Sequence, residues 1–156
     1  MSTSNQAPEG GERVERGRVE REPIEKERVD RELVEAATEV ARRYARGDNH
    51  TVAAAGRAAD GRIVTALNAY HFTGGPCAEL VLIGAAAGQG AYELTTVVAV
   101  GDRERGVIPP CGRCRQVLLD YFPELRIIVG QGSRLRTVPV RELLPETYVW
   151  ADHQVD

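Results

Sequence analysis

The chain has no apolar run long enough to cross a bilayer, no excess of positive charge, and only three cysteines in 156 residues. The longest apolar stretch, Leu80 to Ala87, is broken by Gly84 and followed by Gly88 and Gln89, well short of the ~20 residues a spanning helix needs. No basic start with an apolar signal core precedes it, so the expectation is a cytoplasmic protein without membrane contact. A net charge of −3 argues against a surface built to neutralise a run of phosphates, which disfavours a nucleic-acid partner and leaves free small molecules. An odd cysteine count disfavours a disulfide framework and points to thiol or metal chemistry.

What is present is ordinary globular material. Hydrophobic residues make up 42% and charged residues 28%, and the length suits one domain with a single core. Residues 1–28 are polar and dense in Glu and Arg, with Glu-Arg-Val recurring at Glu12 and Glu27. They read as a charged extension, either a solvated, partly helical tail or an arm that docks on a neighbouring subunit. Residues 29–156 read as the functional domain.

Within it, Leu33, Ala37, Val40, Ala41 and Tyr44 fall at helical spacing before a stop at Gly47. Two strands, residues 51–58 and 62–67, flank the turn pair Asp60-Gly61. Beyond the loop 68–76 the pattern alternates. A helix is expected over 77–87, a strand over 95–101, a helix over 111–121, strands over 126–130 and 135–138, and a helical turn at 141–144. A hairpin followed by alternating helices and strands implies an α/β fold, a three-layer α/β/α sandwich with a mixed five-stranded sheet.

The chemistry is concentrated in Pro76-Cys77-Ala78-Glu79 and Pro110-Cys111-Gly112-Arg113-Cys114, both at expected helix starts. A helix N-terminus is the positive end of the peptide dipole array, so thiols there should ionise more easily and suit a metal. Cys111 and Cys114, three apart, share one side of a first turn. Structural zinc sites close with four protein ligands, whereas catalytic ones offer three and leave room for water. Three cysteines without an obvious fourth ligand therefore indicate an open site, in which zinc acidifies a water toward pKa ~7. Glu79 sits one residue beyond Ala78 in the same first turn, placed to shuttle protons without ligating. A redox reading of the Cys-x-x-Cys pair leaves the upstream Cys77-Ala78-Glu79 unexplained. His50, His71 and His153 are not needed as ligands.

These residues carry a resemblance. Cys-Ala-Glu followed by Pro-Cys-Gly-x-Cys-Arg-Gln is similar to the cytidine deaminase superfamily. The segments 70–80, 111–120 and 141–145, with Tyr148-Val149-Trp150, resemble the blasticidin S deaminase branch, over about residues 30–150. The resemblance implies hydrolytic deamination of a free cytosine nucleoside, with Zn2+ on Cys77, Cys111 and Cys114 and Glu79 as the catalytic proton shuttle. It implies substrate contacts at Thr51, Asn68, Ala78, Arg105, Tyr148 and Trp150, and a homo-oligomer, a tetramer in many members. Arg105 would meet the carboxylate that distinguishes blasticidin S from cytidine.

Two departures from the ordinary cytidine deaminase pattern stand out. Asn68-Ala69-Tyr70 replaces the Asn-x-Glu whose glutamate binds ribose, and Leu80 replaces an arginine that offsets thiolate charge, a task left to Arg113 or Arg115. From the blasticidin branch the chain departs in having Thr51 where serine is usual, which keeps the hydroxyl. A deaminase of single-stranded nucleic acid is disfavoured by the acidic balance and by the absence of His-x-Glu. A non-enzymatic zinc or redox module is the remaining alternative.

Overall fold

A computed structural model describes residues 28–154. The extension expected over residues 1–28 lies, apart from Arg28, outside the described residues.

The first helix, α1 (Arg31–Tyr44), starts where Asp30 accepts the Leu33 amide hydrogen at 3.1 Å, an N-cap that satisfies one orphan donor. The Asp30 carboxylate also binds Arg57 at 2.9 Å, tying the helix start to the sheet. Strands β1 (Val52–Ala58) and β2 (Ile63–Leu67) form an antiparallel hairpin with Ala54 opposite Ala66. Then come α2 (Ala78–Ala87), β3 (Leu94–Gly101), β4 (Gly106–Ile108), α3 (Gly112–Tyr121), β5 (Arg126–Val129) and β6 (Arg136–Pro139), with short 3-10 turns at Gly132–Arg134, Val140–Leu143 and Trp150–His153.

The sheet runs β2-β1-β3-β5-β6, antiparallel except for the β3–β5 pair. The α/β sandwich and mixed sheet are as expected; the strand count is six rather than five. The extra strand, β4, pairs Ala99, Val100 and Gly101 of β3, while β5 pairs Thr96 and Val97 farther along. Since β1 occupies β3's other edge, β4 and β5 share one edge. Three residues are too few for a period to show.

Successive strand residues face opposite ways, and the core divides accordingly. Ala53, Ala55, Val98 and Val100 pack under α1 with Leu33, Ala37 and Ala41. Ala54, Ala58, Val97 and Ile127 pack on the other side with Leu82 of α2 and Leu118 of α3. The run Ala53-Ala54-Ala55-Gly56 makes the central strand thin on both faces. A methyl at Gly56 would come within 3.0 Å of Leu82 Cδ2 and 3.2 Å of Leu94 Cδ1, so this glycine sets how closely α2 sits on the sheet. That spacing positions the N-terminus of α2.

A candidate metal centre at two helix starts

Cys77 is the N-cap of α2 and Cys111 the N-cap of α3. Both have extended backbone geometry, and each proline lies one residue before its cap, where a missing amide hydrogen is harmless. Cys111 Sγ accepts the Cys114 amide hydrogen at 3.5 Å, closing the first turn of α3. The two helix starts meet: Cys77 and Cys111 sulfurs are 3.8 Å apart, Cys111 and Cys114 sulfurs 3.4 Å, and all three lie within 4.8 Å of one another. Sulfurs around a tetrahedral zinc at Zn–S ~2.3 Å would be about 3.8 Å apart, so the donor set and its spacing fit that ion.

Glu79 lies beside the cluster. It is the one charged residue among those described that is buried, at 5% exposure, and the Cys114 thiol donates to its Oε2 at 3.7 Å. Burial pushes its carboxyl above the usual carboxylate range, which suits a group that must both take and give a proton.

The thiols differ from expectation. Burial pushes the Cys111 thiol up, but the Cys114 amide hydrogen bond and the two neighbouring thiols outweigh it, and its pKa falls below the ordinary value. Cys114 goes the other way: burial, then the Glu79 charge and the other two sulfurs, raise it far above the thiol range. A helix N-terminus therefore does not lower every thiol beside it. Cys114 is fully enclosed next to negative charge, and only a cation among the sulfurs would stabilise its thiolate.

The polar neighbourhood of this cluster is built from main chain. Ala69 N–H donates to Pro76 O at 3.1 Å, closing the loop that delivers Cys77. Asn68 Oδ1 accepts from the Thr51 and Val52 amides at 2.7 and 3.0 Å, and His50 Nδ1 lies 2.8 Å from Asn68 O. Arg105 Nη2 reaches Thr51 O at 2.7 Å. Thr51, Asn68 and Arg105 are thus linked through one segment of backbone, and Asn68 joins them to the loop before Cys77.

Ala78 is fully buried at the start of α2. Tyr148 and Trp150 lie on the C-terminal segment, 51% and 58% exposed, held by α3 rather than by the cysteines. Gln116 Nε2 donates to Tyr148 O at 2.9 Å, Thr147 Oγ1 donates to Gln116 Oε1 at 2.9 Å, and Trp150 N–H donates to Asp120 at 3.3 Å. The two arginines considered for charge compensation also separate. Arg115 is spent on Pro110 O and Leu143 O, at 2.8 and 3.1 Å. Arg113 reaches Gly75 O at 3.5 Å, across the mouth of the Cys77 loop.

None of the histidines joins the cluster. His71 bonds Thr73 within its own loop, and His153 stacks on Tyr148 at 4.4 Å. Two cavities of about 590 Å³ open around the C-terminal end of α1, one lined by Arg42, Arg46, Asp102 and Arg103, the other by Tyr44, His50, Asn68 and Ala69. Neither is lined by a cysteine.

Sequence reasoning missed Asp102, whose carboxylate holds Arg105 at 2.7 Å, and the anchoring role of Gln116. An acid three residues before a turn arginine was the available signal for the first. For the second, Gln116 followed four residues on by Asp120 marks one helix face.

Residues 27–129 match the family model described as the cytidine and deoxycytidylate deaminase zinc-binding region. The chain is 34% identical over 125 residues to a blasticidin-S deaminase of Bacillus cereus, covering 74% of this chain and 89% of that protein. It is 33% identical over 120 residues to a cytidine deaminase of Mycobacterium tuberculosis, covering 72% and 84%. The crystal structure of cytidine deaminase from Mycobacterium tuberculosis superposes with a TM-score of 0.63 at 33% identity, covering 78% of this chain and 98% of that one. That of Mycobacterium leprae gives 0.63 at 32% identity, covering 76% and 100%.

Proposed function

Because the chain belongs to the cytidine and deoxycytidylate deaminase family, we propose that it is a zinc-dependent hydrolase that converts the cytosine ring of a free nucleoside, blasticidin S or cytidine and deoxycytidine, to the uracil form with release of ammonia. The observation that carries this reading is the convergence of three thiols from two helix starts beside one buried carboxyl.

Cys77, Cys111 and Cys114 would hold the zinc, which supplies Lewis acidity that brings ionisation of a water near neutral pH. Glu79 takes a proton from the attacking water, delivers it to the ring nitrogen beside the reacting carbon, and later passes one to the departing ammonia. One C–N bond breaks, one C–O bond forms, and one water is consumed. Asn68, with Oδ1 committed to the Thr51 and Val52 amides, keeps its NH2 to donate to a hydroxyl of the sugar. Tyr148 and Trp150 cover the ring from the C-terminal segment. Arg105 attracts the carboxylate of blasticidin S.

The same reading makes the protein a cytoplasmic homo-oligomer, a tetramer, with a role in antibiotic resistance when blasticidin S is the substrate. Support for assembly comes from α2, whose single charged residue is Glu79. A helix apolar nearly all round needs cover on more than one side.

A substrate panel tests the reading: cytidine, deoxycytidine, blasticidin S and a cytosine-containing single strand, followed by loss of cytosine absorbance and ammonia release, with zinc measured in the same preparation. Turnover of free nucleosides with one zinc per chain is expected, blasticidin S being at least as good a substrate as cytidine. Turnover of the strand alone, or none of the panel, overturns it.

A further inference from the structure

The turn that carries Arg105 is built at some conformational cost. Between β3 and β4, Arg105 N–H donates to Asp102 O at 3.1 Å, and the two central residues, Arg103 and Glu104, both adopt left-handed backbone at φ 50° and 59°. That is the pattern of a type I′ turn, which ordinarily uses Asn-Gly because side chains resist it. The arginine side chain then folds back over Gly101, where an added methyl would come within 2.8 Å of Arg105 Nε.

What this geometry secures is a pair. Arg105 Nη2 and Nε reach Asp102 Oδ1 at 2.7 and 3.2 Å, and Nη2 also reaches Thr51 O at 2.7 Å. Asp102 is held in turn, its own amide donating to Thr51 O at 2.9 Å. The Asp102 side chain is 13% exposed against 47% for Arg105. A half-exposed cation is thus matched, on its protected side, by an anion fixed to the same carbonyl. The other charges on the turn are Arg103, 3.9 Å from Asp102 Oδ2 and 78% exposed, and Glu104.

We propose that Asp102 sets the charge preference of the site, holding Arg105 as a neutral pair so that a carboxylate-bearing cytosine nucleoside gains only part of the attraction a free arginine would give. The inference rests on the deaminase reading above. An incoming carboxylate near Arg105 also meets Asp102 a few ångströms behind it, and opposed charges at that separation largely cancel. Uncharged nucleosides are admitted without an unpaired cation at the rim. Asp102 acts through Arg105 and is a positioning residue.

The experiment compares kcat/KM for blasticidin S and cytidine, as a ratio, in the wild type and variants of the full chain. Asp102→Asn keeps the acceptor oxygen and removes the charge, and should raise the ratio about tenfold, through KM for blasticidin S. Asp102→Glu keeps the charge and should restore a ratio within about threefold of wild type. Adding Arg105→Ala to Asp102→Asn should abolish the gain, whereas Arg105→Ala alone should lower the ratio by less than it does in the Asp102→Asn background. Should Asp102→Asn fail to fold, as judged by melting, Asp102→Ser is read the same way. Turnover with a ratio unmoved by loss of the Asp102 charge, or a gain that survives Arg105→Ala, overturns this proposal alone. Absence of turnover in the zinc-loaded wild type overturns the deaminase reading and this proposal with it.

Discussion

Gly75→Ala is the substitution in which the smallest chemical change should do the most damage. A methyl at Gly75 would overlap the Ala69 carbonyl oxygen and the His71 amide nitrogen, and come within 2.8 Å of the Tyr70 carbonyl carbon. All three are backbone atoms, so no side-chain rotation relieves the clash and the loop itself must open. The bonds at risk are Ala69 N–H to Pro76 O at 3.1 Å, and Gly74 and Gly75 N–H to His71 O at 3.0 Å each. At roughly 0.5 to 1.5 kcal/mol per bond, losing two or three costs about 1 to 4 kcal/mol. For a chain of this size, at about 3 °C per kcal/mol, that lowers the melting temperature by about 3 to 12 °C. The same movement displaces Pro76 and Cys77, and Zn–S bonds tolerate only ~0.2 Å, so zinc content should fall well below one per chain. Excess zinc should recover part of the lost melting temperature, because a ligand that binds only the folded state stabilises it by mass action. Gly84→Ala is the matched control: a methyl there meets nothing within 4 Å, and alanine inside α2 should stabilise by about 0.5 to 1 kcal/mol. A Gly75→Ala protein that melts within about 1 °C of wild type and carries one zinc would refute the reasoning.

Glu79→Gln should keep zinc yet lose about 10² to 10⁴ in kcat, measured on cytidine. Its metal-free form carries a second signature. A carboxyl with a raised folded-state pKa loses its stabilising contribution as pH climbs from the ordinary carboxylate value through the raised one. Thermal melts of the apo proteins should therefore show the variant at least as stable as wild type above about pH 5; a less stable variant would contradict the burial argument. Cys114→Ala should abolish zinc binding, and full occupancy by metal analysis would remove Cys114 from the site. In wild type stripped by a chelator, iodoacetamide followed by mass spectrometry should modify Cys111 first and Cys114 last, since one thiol is exposed and acidified and the other enclosed and raised. Asp30→Ala removes the α1 cap and one of Arg57's two carboxylate partners, Glu32 being the other. It should cost about 1 to 2 kcal/mol in denaturant melts, with zinc content unchanged.

Much of this was legible in the sequence because the signals were local. The periodicity of α1, the Asp60-Gly61 turn and the proline-cysteine pairs each act within a few residues, and each element lies within a residue or two of its expected span. What the sequence could not display depends on closeness in space. The strand β4 exists because β3 has a stretch of edge that β5 leaves open. Cys114 is raised by burial and by Glu79, 35 residues earlier, whereas Cys111, also pushed up by burial, is brought down by the Cys114 amide hydrogen bond and the neighbouring thiols. The tie from Arg105 through Thr51 to Asn68 crosses 54 and 17 residues of chain. Tyr148 and Trp150, grouped with the substrate contacts by resemblance, are fastened within the chain to Gln116 and Asp120.

Trp150 is the protein's single tryptophan, and it sits half in water on a segment tied to α3 by its own amide on Asp120 and by Thr147 and Tyr148 on Gln116, with Val149 packed on the core. Its emission therefore reports on that one place, with no second indole to dilute the signal. While the ring is wetted its fluorescence should lie toward the red, and a base, a sugar or a neighbouring copy that covers it should draw the spectrum to shorter wavelength. Glu79→Gln, which binds but should not turn over, makes the change readable at equilibrium. On the proposal that Trp150 covers the substrate, the chain would carry its own optical gauge of occupancy, read without any turnover.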